Sequence, residues 1–392
     1  MQFKTPQVNS TKKCRSKRRG AIVVLIAFSL LMIFAFVAFT VDVGWLTVTK
    51  TQLQNAGDAA ALGSAMNLIQ GFGPGATMNQ TTVTSYAQNV AVTVSAANRA
   101  GDMSSVFCNG TRDVQLGQYQ WNGTGWSMNW GVTPFNMSRV TLHRDQAGTG
   151  GDRSLPLFFA PVLGDKTANL QASATAAMLP GIGFKITPGS STLTAGILPI
   201  ALDVGTWNNL MAGVGADNFT YNPATGTVTP GADGVLEVDL YPSGSNLMPP
   251  GNRGTVDIGT TNNGTNNLTR QILNGLSASD LAPYGGQLLF NQVPLLLDGN
   301  PGLSAAIKAP LTAIEGQPRA IPIFSAVSGN GANAVYTIVK FVGVRVLDVK
   351  LTGSPTQKHV TVQPCPYTDA TVVPGNVTLT KDSILAPVQL IQ

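Results

Sequence analysis

The chain has 392 residues, 43% of them hydrophobic and only 11% charged, with 43 glycines and 24 prolines. Its formal charge of +5 comes from a short N-terminal tail: residues 1–19 hold seven of the 24 Lys and Arg and no acid, leaving 17 basic against 19 acidic residues elsewhere. A chain slightly acidic outside its tail, without a basic patch interleaved with aromatics, gives nucleic-acid binding little support.

The tail is followed by residues 21–41, 21 residues without a charge in which only Ser29 and Thr40 are polar. At 1.5 Å per residue a helix of that length is about 31 Å long, the thickness of a bilayer's hydrocarbon core. Ala21, Leu25, Leu30, Phe34 and Val41 sample a segment that is apolar on every face, as a lipid-facing helix is. The cluster Lys12, Lys13, Arg15, Lys17, Arg18 and Arg19 directly before it predicts a cytoplasmic N-terminus and export of the rest. The same cluster could meet anionic lipid headgroups or a cytoplasmic partner. A cleaved secretory signal would have a shorter apolar region and a small-x-small site after it. Here the run is longer and Val41, Asp42, Val43, Gly44 and Trp45 follow, so a retained anchor is expected. Cys14 lies in the tail without a lipobox-like apolar lead, so lipoprotein processing is not expected.

Beyond the span, residues 42–69 contain no proline, and Leu46, Leu53, Ala56, Ala60 and Ala65 recur near helical spacing. Gly57, Ala61 and Ala65 form a row of small residues that lets a second helix or a sheet approach closely; an ordinary core helix would use it in the same way. The run Gly71, Gly73, Pro74, Gly75 ends this helix.

These stretches carry a family resemblance. Arg19-Gly20-Ala21, the apolar run, Val41-Asp42-Val43-Gly44 and the segment LQNAGDAAAL at 53–62 resemble the N-terminal region of TadE/TadG-like proteins of Tad (Flp) pilus assembly. Prepilin-type members carry a glutamate five residues after the cleavage glycine. Leu25 stands there after Gly20, which argues against prepilin processing and use as a major pilin.

Residues 82–100 fit a helix with Tyr86, Val90, Val94 and Ala97 on one face. Strands are expected at 114–121, 139–143, 155–160 and 170–178, with turns at Asn122-Gly123 and at 148–151. The pieces VQLGQYQ (114–120), FNMSRVTLHR (135–144), LPLFFAPVLG (155–164) and NLQASATAAM (169–178) are similar to the C-terminal part of Tad-like proteins, so the resemblance covers residues 19–180. Residues 181–392 read as a second β-rich domain whose most ordered parts are 193–204 and 321–353. Apolar residues on both parities of 336–343 mark a strand covered on both faces. Residues 205–270, rich in Gly, Asn, Thr and Pro, read as long loops with short strands, and 301–315 as a short helical segment interrupted before Pro310. Asn109, Asn122 and Asn218 head Asn-x-Ser/Thr triplets that read as ordinary turns in a bacterial chain.

Catalytic signals are sparse. His143 and His359 have no spaced partner, Glu237 and Glu315 are the only glutamates, and GxSxG, HExxH, Walker and DxSxS patterns do not occur. No enzyme activity, cofactor or metal is therefore expected. Cys108 and Cys365 lie in the exported part and could form one disulfide across the two outer domains, or remain separate thiols.

The sequence thus predicts an α+β protein: a basic tail (1–19), a transmembrane and stalk helix (20–70), an α+β extracytoplasmic domain (71–180) and a second β-rich one (181–392). By resemblance it is a single-pass, inner-membrane assembly or anchoring protein of a Tad pilus or related envelope structure, partnered by the bilayer and other Tad or envelope proteins. A minor pilin-like subunit and a surface adhesin or secreted structural protein are the alternatives. Nothing in the sequence sets an oligomeric state.

Overall fold

The computed structural model describes residues 1–2, 19–148, 150–241, 254–259, 264–290, 294–299, 305–354 and 357–391. Lys12, Lys13, Cys14, Arg15, Lys17 and Arg18 lie outside the described residues. The chain begins as one helix, α1 (Arg19–Asn67), 49 residues long and hence about 73 Å. Its two halves meet different surroundings. Side chains 22–37 are all exposed, whereas Leu53, Ala56, Ala60, Ala61 and Ala65 have no exposed surface. The expected stalk is therefore the central core helix of the first unit.

Helix α2 (Gln80–Ala96) packs on the second half of α1, started by Asn79, whose side chain accepts from Thr82 N at 2.8 Å. Its buried face is Val83, Ala87, Ala91 and Ser95. The face expected from Tyr86, Val90, Val94 and Ala97 is rotated out: Tyr86 is 42% exposed and Ala97 is exposed. The reason is close approach. Val90 and Val94 wedge beside Gly63, where a Cβ would stand 3.3–3.4 Å from their methyls, and the alanine row takes the centre.

A five-stranded antiparallel sheet covers the opposite side of α1. In spatial order it runs from the chain's last strand, Gln389–Leu390, through β6 (Leu170–Ala177), β3 (Met137–Arg144) and β1 (Val114–Trp121) to β2 (Trp126–Trp130). Val140, Leu142, Ala172, Ala174 and Ala176 are buried with α1 in one apolar cluster, while Arg139, Thr141, Gln171 and Ser173 line the other face. Asn136, fully buried, fixes the end of this sheet: its amide donates to Tyr119 O (2.9 Å) and Met178 O (2.8 Å) and its oxygen accepts from Tyr119 N (2.8 Å).

The strand expected over 155–160 is present only at β4 (Leu155–Pro156), paired with β5 (Thr167–Ala168). A 3-10 turn, Ala160–Leu163, follows, because a remote carboxylate takes the backbone amides of 158–160.

The second unit is a seven-stranded sheet built on the 16-residue strand Val335–Lys350. It pairs with Pro318–Ser328, His359–Pro364 and Leu295–Gly299; the cover on both faces expected over 336–343 begins only at Phe341 and runs to Leu347, while burial alternates over 336–339. Residues 205–270 hold more helix than expected: Val204–Met211, capped by Asp203, and Thr265–Asn274. Near 301–315 a 3-10 turn (Ala305–Ile307) leads into Lys308–Ala313. Pro310 sits in the first turn of that helix, where its missing N–H costs nothing.

The C-terminal segment crosses a division at residue 180: Leu379 and Leu385 enter the apolar cluster of α1 and α2, and Gln389–Leu390 completes the first sheet's edge. Asp382 holds this return segment to the second unit, accepting from Trp207 Nε1 and Lys340 Nζ at 2.6 Å each.

Candidate functional site at the membrane boundary

The first half of α1 is apolar all round, and among the described residues nothing covers side chains 22–37: Leu25 is 68% exposed, Leu30 53% and Phe34 64%, with Val41 at 43%. It is the one described helix long and apolar enough to cross a membrane. In hydrocarbon each backbone polar group must be satisfied within the segment, which a helix does; the Thr40 hydroxyl joins in, donating to Phe36 O at 2.7 Å.

Asp42 is the first charge past the span, and it is buried. Its Oδ1 accepts from Phe158 N at 2.8 Å, and its Oδ2 from Phe159 N at 3.0 Å and Ala160 N at 2.7 Å. Three successive amides at the start of a 3-10 turn converge on one carboxylate, the geometry by which turn and helix starts hold anions. Trp45, one turn further along α1, donates from Nε1 to Pro156 O at 3.2 Å and packs its ring 5.6 Å from that of Phe158. The span's end and residues 156–160 are thus clamped together across more than a hundred positions of sequence.

The clamped loop turns its apolar side chains outward. Phe158 is 62% exposed, Phe159 45%, and Val162 and Leu163 88% each. The sequence reading places Phe158 and Phe159 in a strand over 155–160, with Val162 and Leu163 beyond it. The available signal was a carboxylate immediately after the span and an aperiodic apolar run, FFAPVL, broken by Pro161.

The row Gly57, Ala61, Ala65 serves the interior. A Cβ on Gly57 would lie 3.8 Å from both Ala174 and Leu142, and Ser64 on the same side meets the Ser138 hydroxyl at 2.8 Å. The row lets α1 settle onto β3 and β6, and it is not free to receive another helix. Replacing Ala61 by Leu is expected to destabilise the fold by about 1–3 kcal/mol through overpacking. Thermal unfolding of the detergent-solubilised chain checks this; an unchanged midpoint with loss of a partner would restore the docking role.

Cys108 and Cys365 are both buried free thiols, not a disulfide. Cys108 belongs to the cluster of α1 and α2, and Cys365 follows the strand His359–Pro364 in the second unit. Burial pushes each thiol up to about 11. The two histidines are not brought together: His143 Nδ1 lies 3.1 Å from Asp145, and His359 pairs with Asp348. Glu237, whose carboxyl burial raises, accepts from the Asn218 and Phe219 amides and so braces a hairpin. Among the described residues no group of three or more His, Cys, Asp or Glu side chains is placed to hold a metal.

Two family models match the chain. Residues 20–67 match Tad, described as Flp pilus-assembly TadE/G-like, and residues 59–176 match Tad_C, described as Tad-like Flp pilus-assembly. The first covers α1, and the second runs from the small-residue row to the end of β6. No curated protein and no solved structure matches the chain.

Proposed function

We propose that this membrane-anchored protein of Tad pilus assembly is a rigid platform of the inner membrane, its N-terminus cytoplasmic and its two β-rich units outside. The observation that carries the reading is the continuity of α1. One helix leaves the bilayer and becomes the core of the first unit without a hinge, so the span and the sheet move as one body. Asp42 and Trp45 stiffen the junction. Tad families are assembly families, and the role that fits is structural: the ectodomain is held at a fixed height and orientation above the membrane for pilus or envelope partners.

The basic cluster supplies the orientation in this reading. Replacing Lys12, Lys13, Arg15, Lys17, Arg18 and Arg19 by Gln is expected to leave a large fraction of the ectodomain unexported. Protease access in spheroplasts measures it; an unprotected wild-type tail with a protected ectodomain would overturn the topology.

Among the described residues nothing covers side chains 22–37 of this half-helix, so a pilin-like subunit packed by that helix into a fibre is the second reading. Fractionation separates them. An intact N-terminus in washed inner membrane after shearing supports the platform, whereas a new N-terminus at Ala21 in the sheared fibres supports the subunit.

A further inference from the structure

We propose that residues 156–164 form a second membrane contact, a short apolar wedge that enters the leaflet on the ectodomain side beside the span. The proposal rests on the reading of α1 as a membrane-spanning helix, and four observations support it.

The first is exposure. Phe158, Phe159, Val162 and Leu163 turn outward together from one short loop; Trp45 packs on one side of Phe158, and among the described residues the four side chains stay 45–88% exposed. The second is height. The loop hangs from Asp42, one residue past Val41, and its 3-10 turn touches α1. Ala38 is half-buried although residues 22–37 are exposed; at 1.5 Å per residue it lies about 6 Å below Asp42, toward the bilayer centre. The third is the company the loop keeps. Trp45, an apolar ring with a polar N–H, sits behind it, as tryptophans do at the boundary between acyl chains and headgroups. The fourth is satisfaction of the backbone. Irregular backbone enters lipid only when its polar groups have partners, and here the amides of 158, 159 and 160 go to Asp42, that of 162 to Phe159 O and that of 164 to Pro161 O.

The occupant of this surface is lipid because the patch is continuous with a surface already in lipid. A helix alone can tilt and rotate in a bilayer; a second contact displaced sideways from its axis suppresses both. The wedge thereby sets which way the sheet faces, and Lys166, exposed two residues past it, is placed for anionic headgroups.

The test uses the full chain in vesicles of phosphatidylethanolamine and phosphatidylglycerol, with Cys14→Ser leaving only buried native thiols. Nitroxide labels are placed singly at Val162→Cys and Leu163→Cys, at Phe34→Cys in the span and at Ala224→Cys on an exposed turn. Collision with oxygen and with a water-soluble nickel chelate is then measured. The expected result is loss of nickel access at 162 and 163 relative to 224, with oxygen access retained, as at 34. Nickel access equal to that at 224 places the loop in water and overturns the wedge. Exclusion of both reagents means that protein, a second copy or a partner, covers the loop, and overturns it too. Nickel access at 34 would instead strike the anchor itself, so the two failures are distinguishable.

Discussion

Gly75→Ala is expected to leave little native protein. Gly75 sits at φ +67°, in the left-handed region, and a Cβ there would fall on the Pro364 carbonyl oxygen, with the Cys365 Cα 3.3 Å away. Both obstacles are backbone, so relief requires moving the strand His359–Pro364 away from the segment after α1. This is the seam of the molecule: Arg345 donates to Gly75 O at 3.2 Å, and Gly73 faces the Lys381 carbonyl just as closely. The expected loss is at least about 4 kcal/mol, because the backbone clash adds to a conformational cost that alone is about 1–3 kcal/mol. Gly123→Ala separates the causes. It also has positive φ, +100°, but no atom lies within 4 Å of its Cβ position, so only the conformational cost of about 1–2 kcal/mol remains. Thermal unfolding of the two detergent-solubilised variants checks this. Equal midpoints would show that the seam does not hold the two units together.

Arg144→Met is expected to cost about 2–4 kcal/mol, the effect of removing a buried guanidinium that donates to three acceptors, one of them the exposed Asp102. The guanidinium is 1% exposed and donates to Arg153 O (2.8 Å), Ala100 O (2.8 Å) and Asp102 Oδ1 (2.6 Å), tying the end of β3 to the turn after α2. Methionine fills the volume but removes the side-chain donor from the Arg153 carbonyl, leaves Ala100 O with only the Met103 amide at 3.2 Å, and leaves Arg153 as the remaining ion-pair partner of Asp102. The pair also has a pH signature. Burial alone would raise the Asp102 carboxyl, but the hydrogen bond and charge of Arg144, with Arg153 behind it, hold it below its ordinary value. A depressed carboxyl stabilises the fold fully above its unfolded value near 3.9 and loses that contribution as pH falls through the folded value. Between pH 6 and 3 the wild type should therefore lose more stability than Arg144→Met. Parallel pH curves would sink the assignment.

These two sites show how far sequence reasoning reached. Arg144 ends the stretch FNMSRVTLHR, which was legible as a family piece, yet its task was not. An arginine closing a strand reads as a solvated end until residues 100, 102 and 153 are seen around it. In the same stretch Asn136 and Ser138 look like turn or surface residues, and both are wholly buried. The helix expected over 82–100 is present at Gln80–Ala96, so its existence was legible from periodicity, but its end and its inward face were not. Periodicity weighs side chains by size, whereas the contact with α1 selects alanines that let two backbones approach.

The sequence by itself determined the span, the helix that continues it, β1, β3 and β6, and the existence of the long central strand. Each of these rests on a local rule: lipid demands an unbroken apolar run, a helix a period near 3.6, and a strand residues suited to a pleated surface. Tertiary structure alone decided that the stalk is a core helix, that Asp42 receives the amides of 158–160, that 155–160 turns instead of extending, and that the last strand returns to the first sheet. Those outcomes depend on pairs from about thirty to more than two hundred residues apart. Their energies are set by which groups burial leaves without water, and no local window of sequence contains both partners.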